Sequence, residues 1–400
     1  MHFQMRRLLS PPLSRNFVRR WSADALLAPD DPDSPSSSAS SSTRASRSTD
    51  TRVSQLRSCA LLGPPSPVLR DGERQYRVEG LIDAGAFGRV ALATVVGTSS
   101  PVLVAIKVYG KDQLGATPRL DAMHDNECRI MSENARRDSI WFVRSRGAFG
   151  DAWNRYLVMD YYPNSLARII FSRDYRPPRS AIRLWVEELA LAMYELHDQR
   201  VVHCDLKPSN ILVTWDGHIA IADFGISLTQ NSESYDNEDK PFEQCVFFAY
   251  GGTYAYQAPE LLIKHARASF TCAVDMWSLG VIIYEMYTGK CLFSPEASGV
   301  RNEVWGWDIS AIVHHDIDDE LARDLVTQLL EVEPDDRLRV TDLGWHPYFS
   351  ETNWAAVAKR ETVQVKLPKS ELSSISWEDV LKFERLVVPE SGVKHHQHTL

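Results

Sequence analysis

Apolar residues in the middle of the chain form short runs whose spacing predicts secondary structure. Runs rich in β-branched and aromatic residues predict strands at 76–82, 89–96, 102–109 and 155–160. Apolar positions that recur every three or four residues predict amphipathic helices at 119–134 and 181–197. Further along, a strand is predicted at 218–222 and an apolar helix at 275–280. The pattern therefore predicts a strand-rich part followed by a mainly helical part.

The N-terminal part lacks this pattern. Residues 31–50 contain nine serines and no large apolar side chain, so they cannot bury enough surface to offset the entropy of ordering. The first 23 residues hold five arginines and no acidic residue. We interpret that stretch as a solvated basic tail, with a mitochondrial presequence as the alternative. Residues 1–75 are thus predicted to be a disordered, basic, Ser-rich tail.

Charge is divided unevenly along the chain. The total is −9, but residues 1–70 carry ten Lys and Arg against five Asp and Glu, which leaves −14 for the remainder. This balance argues against nucleic acid as a partner. The acidic segment 231–239 is interpreted as a solvated loop, or alternatively as an intramolecular docking site for the basic tail.

Apolar run length and cysteine spacing add two expectations. No apolar run approaches the roughly 18 residues of a membrane span, so no transmembrane segment is expected. Six cysteines without metal-ligand spacing predict reduced thiols. A cytoplasmic location is expected, with the nucleus or the mitochondrion as alternatives because of the basic N-terminus.

Candidate chemistry begins with a hairpin at 83–88, where Gly85 and Gly88 allow backbone N–H groups to approach phosphate oxygens. A plain turn explains two glycines equally well. Lys107 is more informative, because a lysine inside an apolar strand needs an anionic partner. Glu127, in the predicted helix that follows, is the candidate partner, although a surface lysine and an unrelated glutamate remain the alternative.

A second set of motifs follows in the helical part. His203, Asp205, Lys207 and Asn210 stand within one short loop, and the later motifs are Asp223-Phe224-Gly225, Ala258-Pro259-Glu260 and Arg337. In this order, and together with the glycine hairpin, Lys107 and Glu127, these residues resemble the eukaryotic protein kinase family of serine/threonine type. The resemblance runs from about Tyr76 to Phe349. Residues 345–349 and Asn353-Trp354 also resemble the AGC group.

The resemblance implies an α+β, bilobal protein-kinase-like fold. Its N-lobe would be a small antiparallel β-sheet with one helix, and its C-lobe would be larger and mainly helical. The implied organisation is a tail at 1–75, a protein kinase domain at 76–349 and a C-terminal extension at 350–400.

Residue roles also follow from the resemblance. Asp205 would accept the substrate's hydroxyl proton, Lys207 would steady the γ-phosphate, and Thr253 would bond Asp205. Lys107 would hold the α- and β-phosphates while paired with Glu127, and Mg²⁺ would bind Asn210 and Asp223. The residues expected to contact ATP are Ile82, Gly85, Ala86, Phe87, Gly88, Val90, Ala105, Lys107, Met159, Asp160, Tyr162 and Leu212.

The sequence departs from the family pattern at several positions. Asp83 occupies the place of the first loop glycine, and Cys204 replaces the arginine that precedes the catalytic aspartate. Ala249 stands at the usual phosphate-acceptor position, so we expect no requirement for activation-segment phosphorylation. Ser209 replaces one acid that reads a substrate arginine, whereas Glu285, a second such acid, is retained.

Two functions of different classes fit these residues. The first is a Mg-ATP-dependent serine/threonine protein kinase whose partners are protein substrates. The second is a pseudokinase scaffold, which Asp83 and Cys204 favour and which the retained Lys107, Asp205, Asn210 and Asp223 disfavour. A small-molecule kinase is disfavoured by Thr253 and the Ala258-Pro259-Glu260 motif.

Overall fold

The structure is a computed structural model that describes residues 67–85, 88–110, 118–230, 241–248, 251–262, 269–293 and 308–361, with Val365 and Leu367. These residues fall into two compact units. The smaller unit comprises residues 67–135 and 144–163, and the larger comprises 136–143 and 164–367, with the gaps just given. The predicted features that fall outside the described residues are the tail up to residue 66, Ala86, Phe87, the acidic segment 231–239, Ala249 and residues 368–400.

The smaller unit is built on a six-stranded sheet and one long helix. The strands are β1 (Val68–Asp71), β2 (Arg74–Gly85), β3 (Gly88–Val95), β4 (Leu103–Gly110), β5 (Ser145–Gly150) and β6 (Asn154–Asp160), and the helix is α1 (Pro118–Arg136). The order across the sheet is β1-β2-β3-β4-β6-β5, and all neighbours are antiparallel. The predicted small antiparallel sheet with one helix is confirmed.

The core of the smaller unit forms where alternate strand residues point to one side of the sheet. Val78, Ala93, Ile106 and Val158 are fully or almost fully buried in this cluster. Each of the four predicted strands is present, with ends that differ by up to three residues. The predicted helix at 119–134 extends over 118–136.

Two strands of the sheet are absent from the sequence-based prediction. β5 alternates between exposed and half-buried residues and has no apolar run that would mark it. β1 pairs with the start of β2, where Leu69 lies opposite Tyr76 and both are buried. The sheet therefore begins at Val68, inside the segment that the sequence assigns to the tail.

The larger unit is mainly helical. Its helices are α2 (Leu166–Ile170), α3 (Arg179–Asp198), α4 (Pro259–Leu262), α5 (Ala273–Thr288), α6 (Ile309–Asp316), α7 (Glu320–Leu329), α8 (Val340–Leu343) and α9 (Trp354–Ala358). Short strands form three small antiparallel sheets: β7 (Asn164–Ser165) with β9 (Ile211–Val213) and β10 (Ile219–Ile221), β8 (Val201–Val202) with β11 (Leu228–Thr229), and β12 (Phe247–Phe248) with β13 (Ser269–Phe270). Single turns of 3-10 helix occur at Pro208–Asn210, Phe242–Gln244, Tyr254–Tyr256 and Pro347–Phe349. The predicted helical part is confirmed.

Helix α5 is the buried centre of this unit, since every residue from Val274 to Met286 is buried. Gly280 lets α7 approach closely, because a Cβ at this position would lie 2.9 Å from Leu329 Cβ. Residues 275–280, predicted to be an apolar helix, are the first half of this longer element.

The start of the predicted C-terminal extension belongs to the larger unit. Trp354 packs against Phe349, with ring centroids 5.2 Å apart. The guanidinium of Arg360 donates to the carbonyls of Ile140 and Ile219 over 2.6 and 2.7 Å. Val365 lies against Gly217, where an added Cβ would be 2.7 Å from Val365 Cβ. Among the described residues no helix is long and apolar enough to cross a membrane.

Candidate active site

Lys107 and Glu127 form the buried ion pair that the sequence predicts in the smaller unit. Lys107 Nζ donates to Glu127 Oε2 over 2.9 Å and to Oε1 over 3.1 Å. The lysine is 9% exposed and the glutamate 1% exposed. Because both groups are buried, loss of either one would leave the other as an unpaired charge away from water, which is strongly destabilising.

Several residues predicted to contact ATP share one face of the sheet. Val90 lies opposite Lys107 in the register of β3 and β4, and Ala105 lies opposite Met159 in the register of β4 and β6. Directly opposed antiparallel residues point to the same side, as do residues two apart on one strand. Val90, Ala105, Lys107 and Met159 therefore line one face.

The glycine hairpin joins β2 and β3, and Gly85 pairs with Gly88. A Cβ on Gly88 would lie 2.8 Å from the carbonyl oxygen of Val108, so packing against β4 alone requires this glycine. Asp83 is exposed, and the register shifts between Leu81 and Asp83. Ile82 is half-buried on the same strand, whereas Ala86 and Phe87 lie outside the described residues.

The last predicted ATP contacts lie at the end of β6 and in β9. Asp160 donates its backbone N–H to the carbonyl of Arg144 over 3.0 Å, and its carboxylate accepts from Arg146. Tyr162 is half-buried two residues further on, and Leu212 is half-buried in β9 of the larger unit.

Asp205 is the centre of a hydrogen-bond network in the larger unit. Its Oδ1 accepts the backbone N–H and the hydroxyl of Thr253 over 2.7 and 2.8 Å. Its Oδ2 accepts Lys207 Nζ over 2.7 Å and Asn210 Nδ2 over 3.3 Å. Lys207 also donates to Thr253 Oγ1 over 2.7 Å. The structure thus brings together four residues that the sequence singled out, and their donors fix the plane of the carboxylate.

The predicted metal ligands provide oxygen atoms of the type that Mg²⁺ prefers. Asn210 uses its Nδ2 for the carbonyl and carboxylate of Asp205, so its amide oxygen points the other way. Asp223 follows β10 and has a positive φ of 68°. No group of three His, Cys, Asp or Glu residues that could hold a metal ion is found within the described ranges. An amide oxygen and a carboxylate nevertheless fit a hard, partly hydrated cation.

The backbone next to Asp205 is strained. Cys204 has a φ of 66°, a conformation that costs a non-glycine residue of the order of 1 kcal/mol. Gly252, with a φ of +96°, approaches the same loop so closely that a Cβ would lie 2.7 Å from the carbonyl oxygen of Cys204. The close contact brings Thr253 within reach of Asp205.

Asp275, in the first turn of α5, stabilises this strained loop by accepting two of its backbone N–H groups. Its Oδ2 accepts the N–H of His203 over 2.8 Å, and its Oδ1 accepts that of Cys204 over 3.0 Å. The His203 ring accepts the Asp205 N–H over 3.2 Å and packs against Phe224. Asp275 Oδ2 also pairs with the ring of the buried His197, with Nε2 at 3.0 Å. The sequence motif alone gave Asp275 no role, because all these partners lie more than 70 residues away.

Two further acids lie deeper in the larger unit. Glu260 forms a two-pronged ion pair with the buried Arg337, over 2.8 and 3.1 Å. Glu285 is 1% exposed and accepts the Tyr256 hydroxyl over 2.9 Å. Burial raises the pKa of Glu285 to about 8.

Comparison with known proteins decides the family. The model of the protein kinase domain matches residues 76–349, about two thirds of the chain. The chain belongs to the protein kinase family. The predicted family is confirmed, and the described architecture agrees with its fold.

This kinase domain is similar to kinases that include named serine/threonine-protein kinases. It is 31% identical to the rat Citron rho-interacting kinase over 294 residues, which cover 72% of this chain and 13% of that protein. Identity to the fission yeast serine/threonine-protein kinase sck2 is 31% over 70% of this chain and 42% of that protein. Identity to the zebrafish ribosomal protein S6 kinase alpha-6 is 29%, over 72% of this chain and 37% of that protein. The chain therefore spans less than half the length of each of these relatives. The kinds of kinase among its relatives support the AGC-like assignment.

One residue of this kinase domain that the sequence analysis did not single out touches the predicted site directly. The Tyr109 hydroxyl donates to Glu127 Oε2 beside Lys107. A signal was present, since a polar-tipped residue two positions after Lys107 on one strand points to the same face. The individual roles of the predicted site residues, as opposed to their positions, remain predictions.

Proposed function

We propose that this kinase domain transfers the γ-phosphoryl group of Mg-ATP to serine and threonine hydroxyls of protein substrates. The observation that carries the proposal is the Asp205 carboxylate, which is oriented by Thr253, Lys207 and Asn210 at once. Phosphoryl transfer depends mainly on positioning and on charge stabilisation, and this network supplies both.

In the proposed reaction Asp205 acts as the base. Its carboxylate accepts a hydrogen bond from the substrate hydroxyl and takes the proton as that oxygen bonds to the γ-phosphorus, while the bond from phosphorus to the bridging oxygen breaks and ADP leaves. Lys207 places a positive charge between Asp205 and Thr253, where negative charge on the transferred group is stabilised.

The nucleotide is proposed to be held by residues of both motif sets. Lys107, paired with Glu127, would bind the α- and β-phosphates, while Val90, Ala105 and Met159 present apolar surface to adenine. Mg²⁺ held by Asn210 and Asp223 would supply neutralisation of the phosphate charge. Each of these residues is present with side-chain chemistry that fits its proposed ligand.

A scaffold without catalysis is the competing function, and Asp83 and the strained Cys204 are the observations that favour it. The test compares phosphate transfer from ATP to serine, threonine and tyrosine peptides with ATP-induced thermal stabilisation, with and without Mg²⁺. The proposal expects transfer to serine and threonine and stabilisation that increases with Mg²⁺. Stabilisation without any transfer, or absence of ATP binding, would favour the scaffold.

A further inference from the structure

Tyr109 is a buried polar residue at the Lys107–Glu127 pair that the family motifs do not include. It lies on β4, two residues after Lys107, and is 2% exposed. Its hydroxyl donates to Glu127 Oε2, the same oxygen that accepts from Lys107 over 2.9 Å. The carboxylate is therefore held from two directions by one strand.

The tyrosine ring is itself fixed in place. Lys107 Nζ lies 5.3 Å from the centroid of the ring, within the range of a cation–π contact. His124, one turn before Glu127 on α1, meets the ring edge-on, with centroids 5.0 Å apart and planes at 87°. The hydroxyl cannot swing away from Glu127 without breaking both contacts.

The hydroxyl also remains a donor throughout the physiological range. Burial, together with the neighbouring Glu127 carboxylate, raises the pKa of Tyr109 well above its ordinary value. A neutral hydroxyl satisfies the second lone pair of a buried carboxylate without competing with Lys107 for charge.

We propose that Tyr109 is a positioning residue that holds the Glu127 carboxylate in its pair with Lys107 and so sets the affinity for the phosphates of the nucleotide. It touches none of the reacting atoms, and its hydroxyl, the group that Tyr109→Phe removes, acts through Glu127. The inference rests on the proposed function, since it assigns Lys107 to the phosphates. It supplies an internal restraint on α1 in a chain whose Cys204 replaces the arginine of the family's phosphate switch.

Adenosine separates this role from a merely structural one, because it lacks the phosphates that Lys107 would bind. The experiment measures the dissociation constants of ATP and of adenosine for the wild type and for Tyr109→Phe by titration calorimetry. We expect ATP to bind about five to ten times more weakly to the variant, since a hydrogen bond to a charged group is lost. We expect the constant for adenosine to remain unchanged.

Tyr156→Phe is the matched control. Tyr156 is a fully buried tyrosine of the same sheet, and its hydroxyl donates to Asp151 over 2.6 Å, away from Glu127. Neither dissociation constant should change in this variant. An equal weakening of ATP and adenosine by Tyr109→Phe, or no weakening of ATP, would overturn the proposal.

If Tyr109→Phe lowers the stability of the protein, a double-mutant cycle between Tyr109 and Glu127 still tests the proposal, because it measures the coupling between the two residues. In a Glu127→Ala background, Tyr109→Phe should weaken ATP binding no further, because the acceptor on which its hydroxyl acts is gone. Additive effects would contradict the proposed route. Failure of the proposed function is distinguishable, because the wild type would then bind no ATP or transfer no phosphate, whereas failure of this inference alone leaves both intact.

Discussion

Thr253 donates twice to a single oxygen of Asp205, through its backbone N–H over 2.7 Å and through its hydroxyl over 2.8 Å. The hydroxyl also accepts from Lys207, so it couples the proposed base to the cation beside it. Thr253→Val keeps the shape and the backbone bond but removes the hydroxyl. We expect kcat for peptide phosphorylation to fall about tenfold to a hundredfold, because the carboxylate and the lysine lose their common partner.

Thr253→Ser is the control for that change. It restores the hydroxyl without the methyl group and should stay within about threefold of wild-type kcat. Initial rates at saturating ATP and peptide give the comparison, with melting temperatures measured alongside. If Val and Ser reduce kcat equally, the hydroxyl has no part in the reaction.

Asp275→Asn tests the support of the catalytic loop. The aspartate accepts two backbone N–H groups, those of His203 and Cys204, one on each oxygen, and its Oδ2 also pairs with the buried ring of His197 over 3.0 Å. An asparagine replaces one oxygen with a donor and leaves a buried N–H unpaired, at a cost of about 1–3 kcal/mol. We expect a lower melting temperature and a kcat about tenfold lower, because Asp205 loses its fixed position.

Asp319→Asn is the matched control for Asp275→Asn. Asp319 caps α7 by accepting a single backbone N–H, that of Ala322, over 3.0 Å. Asparagine performs this role equally well, so stability and kcat should remain unchanged. Equal effects of the two substitutions would contradict the assignment of Asp275.

The buried carboxyl of Glu285 predicts a pH dependence of stability. Burial raises its pKa from 4.5 to about 8, so the folded state retains a proton that the unfolded state loses. The stability that this proton contributes is complete below pH 4.5 and decreases as the pH rises to about 8. Glu285→Gln has no proton to lose. Its melting temperature relative to wild type should therefore rise between pH 5.5 and pH 8.5.

Glu333→Gln, at an exposed position, serves as the control for Glu285→Gln. Its melting temperature should follow that of the wild type at every pH. A constant difference between Glu285→Gln and wild type across the range would mean that Glu285 is ionised in the folded protein.

The sequence could predict the parts of the fold and the site that depend on local pattern. The strands around Val90 and Ala105 have apolar runs, and α1 and α3 have helical periodicity. Each motif residue, such as Lys107 or Asp205, belongs to a short contiguous segment. Because the chemistry of these residues is specific, their order along the chain was sufficient to indicate the family.

The features that the sequence could not predict depend on distant partners. β5 has no apolar run, and it is specified by pairing with β6. Asp275 contacts two backbone N–H groups and the His197 ring, all more than 70 residues away, and the Tyr109 hydroxyl meets Glu127, 18 residues later on α1. The burial of Glu285 also depends on distant residues, because it is set by packing around α5.

Cys204 leads to a prediction about regulation. Its Sγ lies 3.7 Å from the carbonyl of Val202, and it offers no positive charge to a phosphate on the activation segment. We expect phosphatase treatment to leave the specific activity unchanged, with removal of phosphate verified by mass spectrometry. A large loss of activity after treatment would show that another group takes the part of the missing arginine.

Asp205→Asn tests the central claim most directly, because it keeps the size of the side chain and removes the proposed base. The measurement pairs the rate of transfer of the γ-phosphate of ATP to a serine/threonine peptide library with the dissociation constant of Mg-ATP, for wild type and variant. We predict transfer by the wild type, a loss of at least about a hundredfold in the variant, and nearly equal affinities for Mg-ATP. Undiminished transfer by Asp205→Asn, or binding of Mg-ATP by both proteins with transfer by neither, would contradict the account.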